Sequence, residues 1–505
     1  PTEVGVISHL IYFYSNEGVD MSKFSEYLRQ MIKKSGESVS AVSRSIGAER
    51  TSIHKALADE RILSYKVVQN LARHFNLTID ERNEFFRLYY ILLQGEDNFR
   101  NREAVCDLLN YLSTLQFHST SVPKMANVNL EDTLLRGEYA IRSAIHTLLL
   151  DECCKQEHCE FNFFLPVKLD ITMELMDLWL SGRTFTVNQL LCFHSGENAV
   201  IENLQFLRTV IPLSLASRGQ YRPYYFHERS GSVTLTPMSY YIITPNYLIQ
   251  FAGDLSTAQI QKKTELVEYF TSHFHNLLQC CDPLTRCDTD LVSILHKYID
   301  TTSPDELQIL MAQPCPGRYI TQDVIAKYLK NQNFPYEPLF DLVEQHFSRL
   351  RQIPKYYTVF TEKGLMDLLE KRSLADLPPE YVPPLEKEDI NNILRQLMDD
   401  IRNGNLTGLI TRPMQLQLPD YLSIYVNSKT GIHIYSTNAF VFGAYCCNIH
   451  ITEESLCNIF YDFIQSLPGS PMVYSTEDCL RLLEQRIEEH VKKCLRHFNS
   501  PAPQS

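Results

Sequence analysis

Within SVSAVSRSIGAERTSIHKAL, residues 38–57, side chains that donate hydrogen bonds crowd together: Arg50, Thr51, Ser52, His54 and Lys55. Arg and Lys pair with phosphate oxygens or guanine edges, and the smaller donors reach base edges and backbone. Arg44 and Ser38, just upstream, complete the candidate DNA-contacting set. The interleaved apolar residues Val42, Ile46, Ile53 and Leu57 have the spacing to lock two short helices at a fixed angle, with the donors outward. Ser38 is placed to cap the first helix, which runs to Ile46. Gly47 stands where the chain must turn, because glycine alone adopts positive φ without steric cost. The second helix is expected from about Glu49 to Ala58. Two helices so joined form a helix-turn-helix, whose second member enters a DNA groove.

Other chemistry is sparse. The chain has no G-x-x-x-x-G-K-[ST] phosphate loop and no G-x-G-x-x-G after a strand. It also lacks H-E-x-x-H and a G-x-S-x-G elbow. Its 14 cysteines include the adjacent pairs Cys153–Cys154, Cys280–Cys281 and Cys446–Cys447, with no C-x-x-C repeat, which reads as reduced thiols in a cytoplasm. Cys153, Cys154, His158 and Cys159 match no standard zinc spacing, so no metal and no cofactor are expected. His273 and His275, two apart on a helix, point to different faces and cannot chelate together. Tyr221, Tyr224, Tyr225 and His227 read as an aromatic core strand, and Glu388, Asp389, Asp399 and Asp400 as the solvated face of one helix. No catalytic residues are expected, and the chain is not read as an enzyme.

The elements that must position the donors follow from periodicity. Phe24, Tyr27, Leu28, Met31 and Ile32 define a helix over 22–35, Val67, Val68, Leu71, Ala72 and Phe75 one over 64–75, and Phe85, Phe86, Tyr89 and Leu92 one over 80–93. Ser64 and Asp80 are the expected openers of the last two. With the central pair, residues 21–94 make an all-α five-helix domain. That segment holds twelve Lys/Arg and eight Asp/Glu, a net of +4, on a chain whose total is −13. A mildly basic head on an acidic body fits a nucleic-acid module attached to something else.

Beyond the head the chain reads as a mixed α+β body, so the fold class is multidomain. The polar run Gln94–Arg102 marks the boundary. The expected segments are an N-terminal extension 1–20, the head 21–94, a helical linker region 95–155, an α+β domain 156–285, a helical region with a Pro-rich connector 286–385, and a second α+β region 386–505. Strands are expected at 161–165, 184–193, 221–227, 233–235, 239–244 and 247–252, with 236–252 a hairpin turning at Pro245-Asn246, and again at 356–360, 406–411, 421–427, 430–436 and 439–450. Helices are expected at 104–115, 130–154, 171–180, 199–210, 256–280, 362–372, 387–403, 453–466 and 476–497, with 288–350 mostly helical. Val359-Phe360-Thr361 and Val473-Tyr474-Ser475 each lead into a helix carrying Leu-Leu-Glu at the same spacing, an echo that convergence on one strand-to-helix chemistry explains more readily than a duplicated module does. No apolar run approaches the roughly 18 residues needed to span a bilayer, and Met21 stands where a natural start would fit.

The head resembles the Cro-repressor-like (XRE-type) helix-turn-helix family. The resemblance rests on five helices of suitable length, on Val42, Ile46-Gly47 and Ile53, and on Val67-x3-Leu71-Ala72-x2-Phe75-Asn76-Leu77-Thr78. It covers residues 22–93. It departs at Val39, Ser43 and Glu49, where many members carry Gln, Ala and Ser. The resemblance implies that the second helix-turn-helix helix reads the major groove of double-stranded DNA, with Arg50, Thr51, Ser52, His54 and Lys55 at the contacting positions, and that the protein is a homodimer. The expected function is a cytoplasmic transcriptional regulator whose body senses a small-molecule or peptide effector or holds the dimer. The other readings are a phage-type or peptide-sensing interaction switch and an enzyme with an appended DNA-binding head. An aromatic cavity with few polar groups would favour the sensor; converging titratable groups would favour the enzyme.

Overall fold

The computed structural model describes residues 21–115, 117, 133–155, 157–195, 199–228, 238–329, 337–379, 381–437 and 446–498. The expected strand 233–235, the 1–20 extension and residues 439–445 lie outside them. The chain divides into two compact units, Pro1–Arg100 and Asn101–Ser505. It is multidomain, with helices and mixed sheets.

In the first unit α1 (Lys23–Ser35), α2 (Val39–Ser45), α3 (Arg50–Leu57), α4 (Tyr65–His74) and α5 (Ile79–Gln94) surround one core. Phe24, Leu28, Val42, Ile53, Val68, Leu71 and Phe85 are buried in it. Ser22 and Ser38 cap α1 and α2 through their hydroxyls. Ser64, expected to cap α4, makes no side-chain cap hydrogen bond. The opener of α5 is Thr78 rather than Asp80: its hydroxyl accepts from Glu81 N, and Glu81 reaches back to Thr78 N at 3.0 Å. This reciprocal pair satisfies two orphan donors where Asp80 satisfies none. The polar run 94–102 is helical on both sides of Gly95, which at φ 85° separates α5 from α6 (Glu96–Thr114).

The second unit contains two modules of one topology. Module one comprises β1 (Thr133–Arg136), α7 (Glu138–Lys155), β2 (Cys159–Phe164), α8 (Thr172–Leu180), β3 (Phe185–Phe193), α9 (Ala199–Gln205), α10 (Leu207–Ser217), β4 (Tyr221–His227), β5 (Tyr240–Ile243), β6 (Leu248–Phe251), β7 (Thr257–Gln261), α11 (Thr264–Leu278) and β8 (Asp282–Pro283). Its sheet order is β1-β7-β6-β5-β2-β3-β4-β8. Module two comprises β9 (Arg286–Asp288), α12 (Leu291–Thr301), β10 (Glu306–Met311), a 3-10 turn (Gly317–Tyr319), α13 (Gln322–Leu329), α14 (Glu337–Gln352), β11 (Lys355–Phe360), α15 (Glu362–Lys371), α16 (Lys387–Asn403), β12 (Thr407–Ile410), β13 (Ser423–Asn427), β14 (Gly431–Ser436), β15 (Cys447–Ile451) and α17 (Glu454–Ser466). Its order is β12-β11-β10-β13-β14-β15-β9. A final helix, α18 (Thr476–Phe498), packs on α15 and α16.

Read from the opposite edge, the two orders coincide. Each sheet has three parallel strands in its first half (β2–β3–β4; β10–β11–β12), followed by an antiparallel run. The registers coincide as well. Leu248↔Gln261 recurs as Ile432↔Ile451, and Leu135↔Ala258 as Asp288↔Asn448. Even the added edge repeats: β8 pairs antiparallel to β4, and Val473 bridges antiparallel to Thr411 just after β12.

Several expectations change. Leu130–Leu135 was expected to be helical, but Thr133–Arg136 forms edge strand β1; the start of the expected helix 256–280 is strand β7; and the expected helical stretch 288–350 contains the central strand β10. The division expected at 385/386 runs through one sheet, because β10 and β11 pair with β13 and β12. The Pro-rich 374–385 is not a free connector, since Leu374, Val382 and Leu385 are buried in module two's core.

Candidate functional site

Helix α3 turns its apolar residues inward and its donors outward. Ile53 and Ala56 are buried, while Arg50, Thr51, His54 and Lys55 are exposed and lie one turn apart on one face. Ser52 is half-buried and accepts a hydrogen bond from Arg61 Nη1 at 3.2 Å. Arg50 Nε donates to His54 Nε2 at 3.3 Å, so these two side chains are held as a pair. Gly47 adopts φ 68° in the turn before α3. Arg44 is exposed on α2. Ser38 is exposed too, and its oxygen accepts from Ala41 N at 3.2 Å, which leaves the hydroxyl proton and one lone pair to offer a partner. Glu49, the N-cap of α3, makes no side-chain cap hydrogen bond and places a carboxylate beside these donors.

Position is given to α3 by a residue that sequence reasoning did not single out. Asp59, at φ 56° beyond the C-cap, accepts from Ser22 N at 2.7 Å, from Ser22 Oγ at 2.5 Å and from Ser25 Oγ on α1. Ser25 Oγ is also within reach of Ala56 O at 2.7 Å, and Arg29 Nη2 donates to Leu57 O at 2.9 Å. Burial would raise the Asp59 carboxyl, but the hydrogen bonds from Ser22 and Ser25 outweigh it and hold the group below the usual carboxylate range. Arg61 was missed as well; it extends the basic edge beyond α3.

In the second unit the suspected residues scatter. His275 pairs with Glu160 at 2.9 Å, whereas His273 stacks on Tyr269. The Tyr221 hydroxyl donates to Gln189 at 2.7 Å inside the core, and burial pushes the phenol up. Tyr225 packs on Phe193 and His227. Asp389 and Asp400 are not a merely solvated face: Asp389 accepts from Lys327 at 2.8 Å and Tyr328 at 2.5 Å, and Asp400 from Tyr319 at 3.0 Å. These bonds fasten α16 to its neighbours. Cys153 and Cys159 are buried thiols, both raised by burial. No group of three metal-ligating side chains occurs among the described residues.

What does converge is a cavity of about 40 Å³ in module two, between α12, α14, the 374–385 segment and the sheet. Leu291, Leu295, Leu339, Val343, Leu350, Leu377 and Val382 line it, with Tyr298, Tyr381, Tyr425 and Tyr435. Its polar groups are few: Asp376, His346 and the phenols. Asp376 and His346 are half-buried and border this space. Asp376 accepts from Ser423 Oγ at 3.2 Å and from Cys315 Sγ at 3.4 Å. Burial raises its carboxyl, opposed by bonds from Tyr425, Cys315 and Ser423. Burial pushes His346 down to about 4, helped by Arg349, so its ring is neutral at pH 7. A smaller space adjoins it, sharing Tyr298, His346, Leu350 and Tyr425 and adding Thr301, Asn427 and His433. His433, pushed down to about 3 by burial and by His450, stacks on His450 at 4.1 Å.

No family model and no curated protein matches the chain. Among solved structures, TrmBL2, an archaeal chromatin protein with a novel mode of DNA binding, aligns with 51% of this chain and 99% of its own at 12% identity and TM-score 0.22. A polyphosphate kinase from Porphyromonas gingivalis aligns with 71% of this chain and 56% of its own at 10% identity and TM-score 0.20. A phosphatidylserine synthase from Haemophilus influenzae aligns with 78% of this chain and 99% of its own at 10% identity and TM-score 0.21. At such scores these likenesses carry no weight for fold or function. Among the described residues no helix is long and apolar enough to cross a membrane.

Proposed function

We propose that the chain is a sequence-specific, homodimeric DNA-binding transcriptional regulator, with a helix-turn-helix in α2 and α3 and a ligand-sensing body. The observation that carries this reading is the outward face of α3, where Arg50, Thr51, His54 and Lys55 stand together while Ile53 and Ala56 anchor the helix to the core. Phosphate contacts set register and base contacts set sequence, and this face offers donors for both. The Asp59 clamp supports it, because a reading helix must be held rigid to discriminate bases. For the body, the apolar and tyrosine lining of the cavity, with Asp376 and His346 as its few polar groups, supports sensing over catalysis.

The test is selection of bound fragments from random double-stranded DNA by the purified chain, followed by gel shifts on the enriched sequence. Arg50→Ala with Lys55→Ala abolishes specific binding and leaves the unfolding transition unchanged, since both side chains are exposed. Absence of any enriched sequence, or equal affinity of the double variant, sinks the DNA reading.

A further inference from the structure

The two modules make a controlled comparison, because their strands run in step. Ile243, Leu248 and Gln261 of module one hold the register positions of Val426, Ile432 and Ile451 in module two. A two-residue link then leads into α11 or α17, so the match continues into those helices. In this register Ile242 stands where module two has Tyr425, Phe251 where it has Tyr435, and Tyr240 where it has Ser423. The connection beside these strands differs as well. Helices α9 and α10 are separated by Phe206 alone, whereas residues 372–386 separate α15 from α16. That longer segment brings Asp376 and Tyr381 to the cavity, and module one has no counterpart of either.

What the cavity gains over module one is a carboxylate without a cation. Ser423 Oγ donates to one Asp376 oxygen at 3.2 Å and Cys315 Sγ to the other at 3.4 Å, and Tyr425 is a third neutral donor. Among the described residues no Lys or Arg stands against it, and His346 on the same wall is held neutral by burial. A carboxylate removed from water is costly to ionise until a positive charge joins it. The walls suit one kind of positive charge. Tyr298 meets Tyr425 at 5.4 Å and 60°, and Tyr435 at 6.1 Å and 81°, so the rings form a corner rather than a stack. Aromatic rings attract cations through their quadrupole, and alkylated ammonium ions above all. A metal ion such as calcium needs six or more oxygen ligands, and the rest of this lining is aliphatic. We propose that the cavity binds the head group of a small organic ammonium ion, with Asp376 as its counter-ion and Tyr298, Tyr381, Tyr425 and Tyr435 as its cage. The volume of about 40 Å³ is room for roughly three waters, which limits the head group to methylated ammonium rather than a larger ring system.

This inference deepens the sensing part of the proposed function and rests on that reading of the body. Its test is calorimetric titration of the full chain with methylammonium chloride and choline chloride, against sodium chloride and 3,3-dimethylbutan-1-ol, the uncharged isostere of choline. At least one of the two ammonium ions binds saturably, and the isostere binds roughly 10-fold more weakly or not at all. Asp376→Asn keeps the shape of the side chain and weakens cation binding by roughly 10-fold or more. Tyr435→Leu weakens it by roughly 5-fold, whereas Tyr435→Phe, which keeps the ring, retains it. Far-UV circular dichroism checks that each variant is folded. No saturable binding of either ammonium ion, equal binding of the isostere, or a folded Asp376→Asn that binds as well as wild type overturns the proposal. Gel shifts with and without the bound cation separate the two failures. Cation binding that leaves DNA affinity unchanged supports the site and counts against sensing, while absent binding removes the site and leaves the DNA reading standing.

Discussion

Module one and module two share strand order, direction and register, yet they bury different amounts of the same helix. In α17 both long sides are apolar and covered; in α11 only the sheet side is buried, and the other carries Tyr269, His273 and Leu277. Topology is thus specified by strand pairing and the inward-facing residues alone, while the second side of a helix is free to take whatever its surroundings demand. The difference is a statement about surroundings, and it can be broken by substitution.

The largest effect is expected at Phe463, buried where its counterpart His273 is exposed. Phe463→Ala removes a side chain packed between the modules and should cost about 3–5 kcal/mol. His273→Ala should change stability by about 0.5 kcal/mol or less in dilute solution. Urea denaturation of both variants measures the contrast. Similar losses at the two positions would mean that α11 is as enclosed as α17.

Next come two carboxylates, one per module. Glu152, fully buried in α7, accepts from Thr244 Oγ1 at 2.7 Å, Asn246 N at 3.0 Å and Asn246 Nδ2 at 2.9 Å, closing the β5–β6 hairpin. Glu152→Ala orphans these donors and should cost about 2–3 kcal/mol. Asp376 serves a cavity rather than a turn, and burial raises its carboxyl. A group whose folded value lies above its unfolded one binds its proton more tightly when folded. Its contribution therefore worsens as pH climbs from the ordinary carboxylate value, about 4, through the folded value. Asp376→Asn should be more stable than wild type at neutral pH, with the gap closing as the pH falls toward 4. Denaturation midpoints across that range decide it, and a gap that widens on acidification would contradict the burial account. Asp59 in the head has the opposite sign. Its depressed carboxyl stabilises above the ordinary value, and that benefit fades as pH drops through the folded value. Asp59→Asn should therefore destabilise the head most at neutral pH, monitored by amide exchange in α3.

How much of this could be read in advance depended on the range of the interactions. The α3 face was legible, because polar and apolar residues alternate with helical period around Gly47. The Asp59 clamp was not, since Ser22 lies 37 residues away and no local pattern links them. Strand β10, Glu306–Met311, is buried on both faces, and a short continuous apolar run reads equally as buried helix. Strands β1 and β7 are short and adjoin helices, whose stronger period absorbed them. The duplication was hidden because it lives in register, not in residue identity. The visible echo, Val359–Thr361 with Val473–Ser475, does not relate module one to module two: the first is the end of β11, the second an isolated bridge before α18. The Asp376 cavity drew on the Pro-rich 374–385, whose composition suggested a solvated connector although Leu374, Val382 and Leu385 carry it across the core.

The smallest expected effect tests the tether rather than the core. Arg102 binds Asp462 through two nitrogens, at 2.7 and 2.9 Å, and Asp462 corresponds to the exposed Ser272 of α11. This ion pair is the polar part of what distinguishes the covered helix from the bare one. Asp462 is 47% exposed, so solvent screens the pair, and its bidentate geometry lifts it only to the upper end of the surface range. Arg102→Ala should therefore cost about 0.5–1 kcal/mol, with the loss shrinking as salt is raised toward 1 M. A loss as large as that of Phe463→Ala would mean that charge, not apolar burial, holds α17 under α6 and α9, and the contrast between the modules would have to be rebuilt on electrostatics.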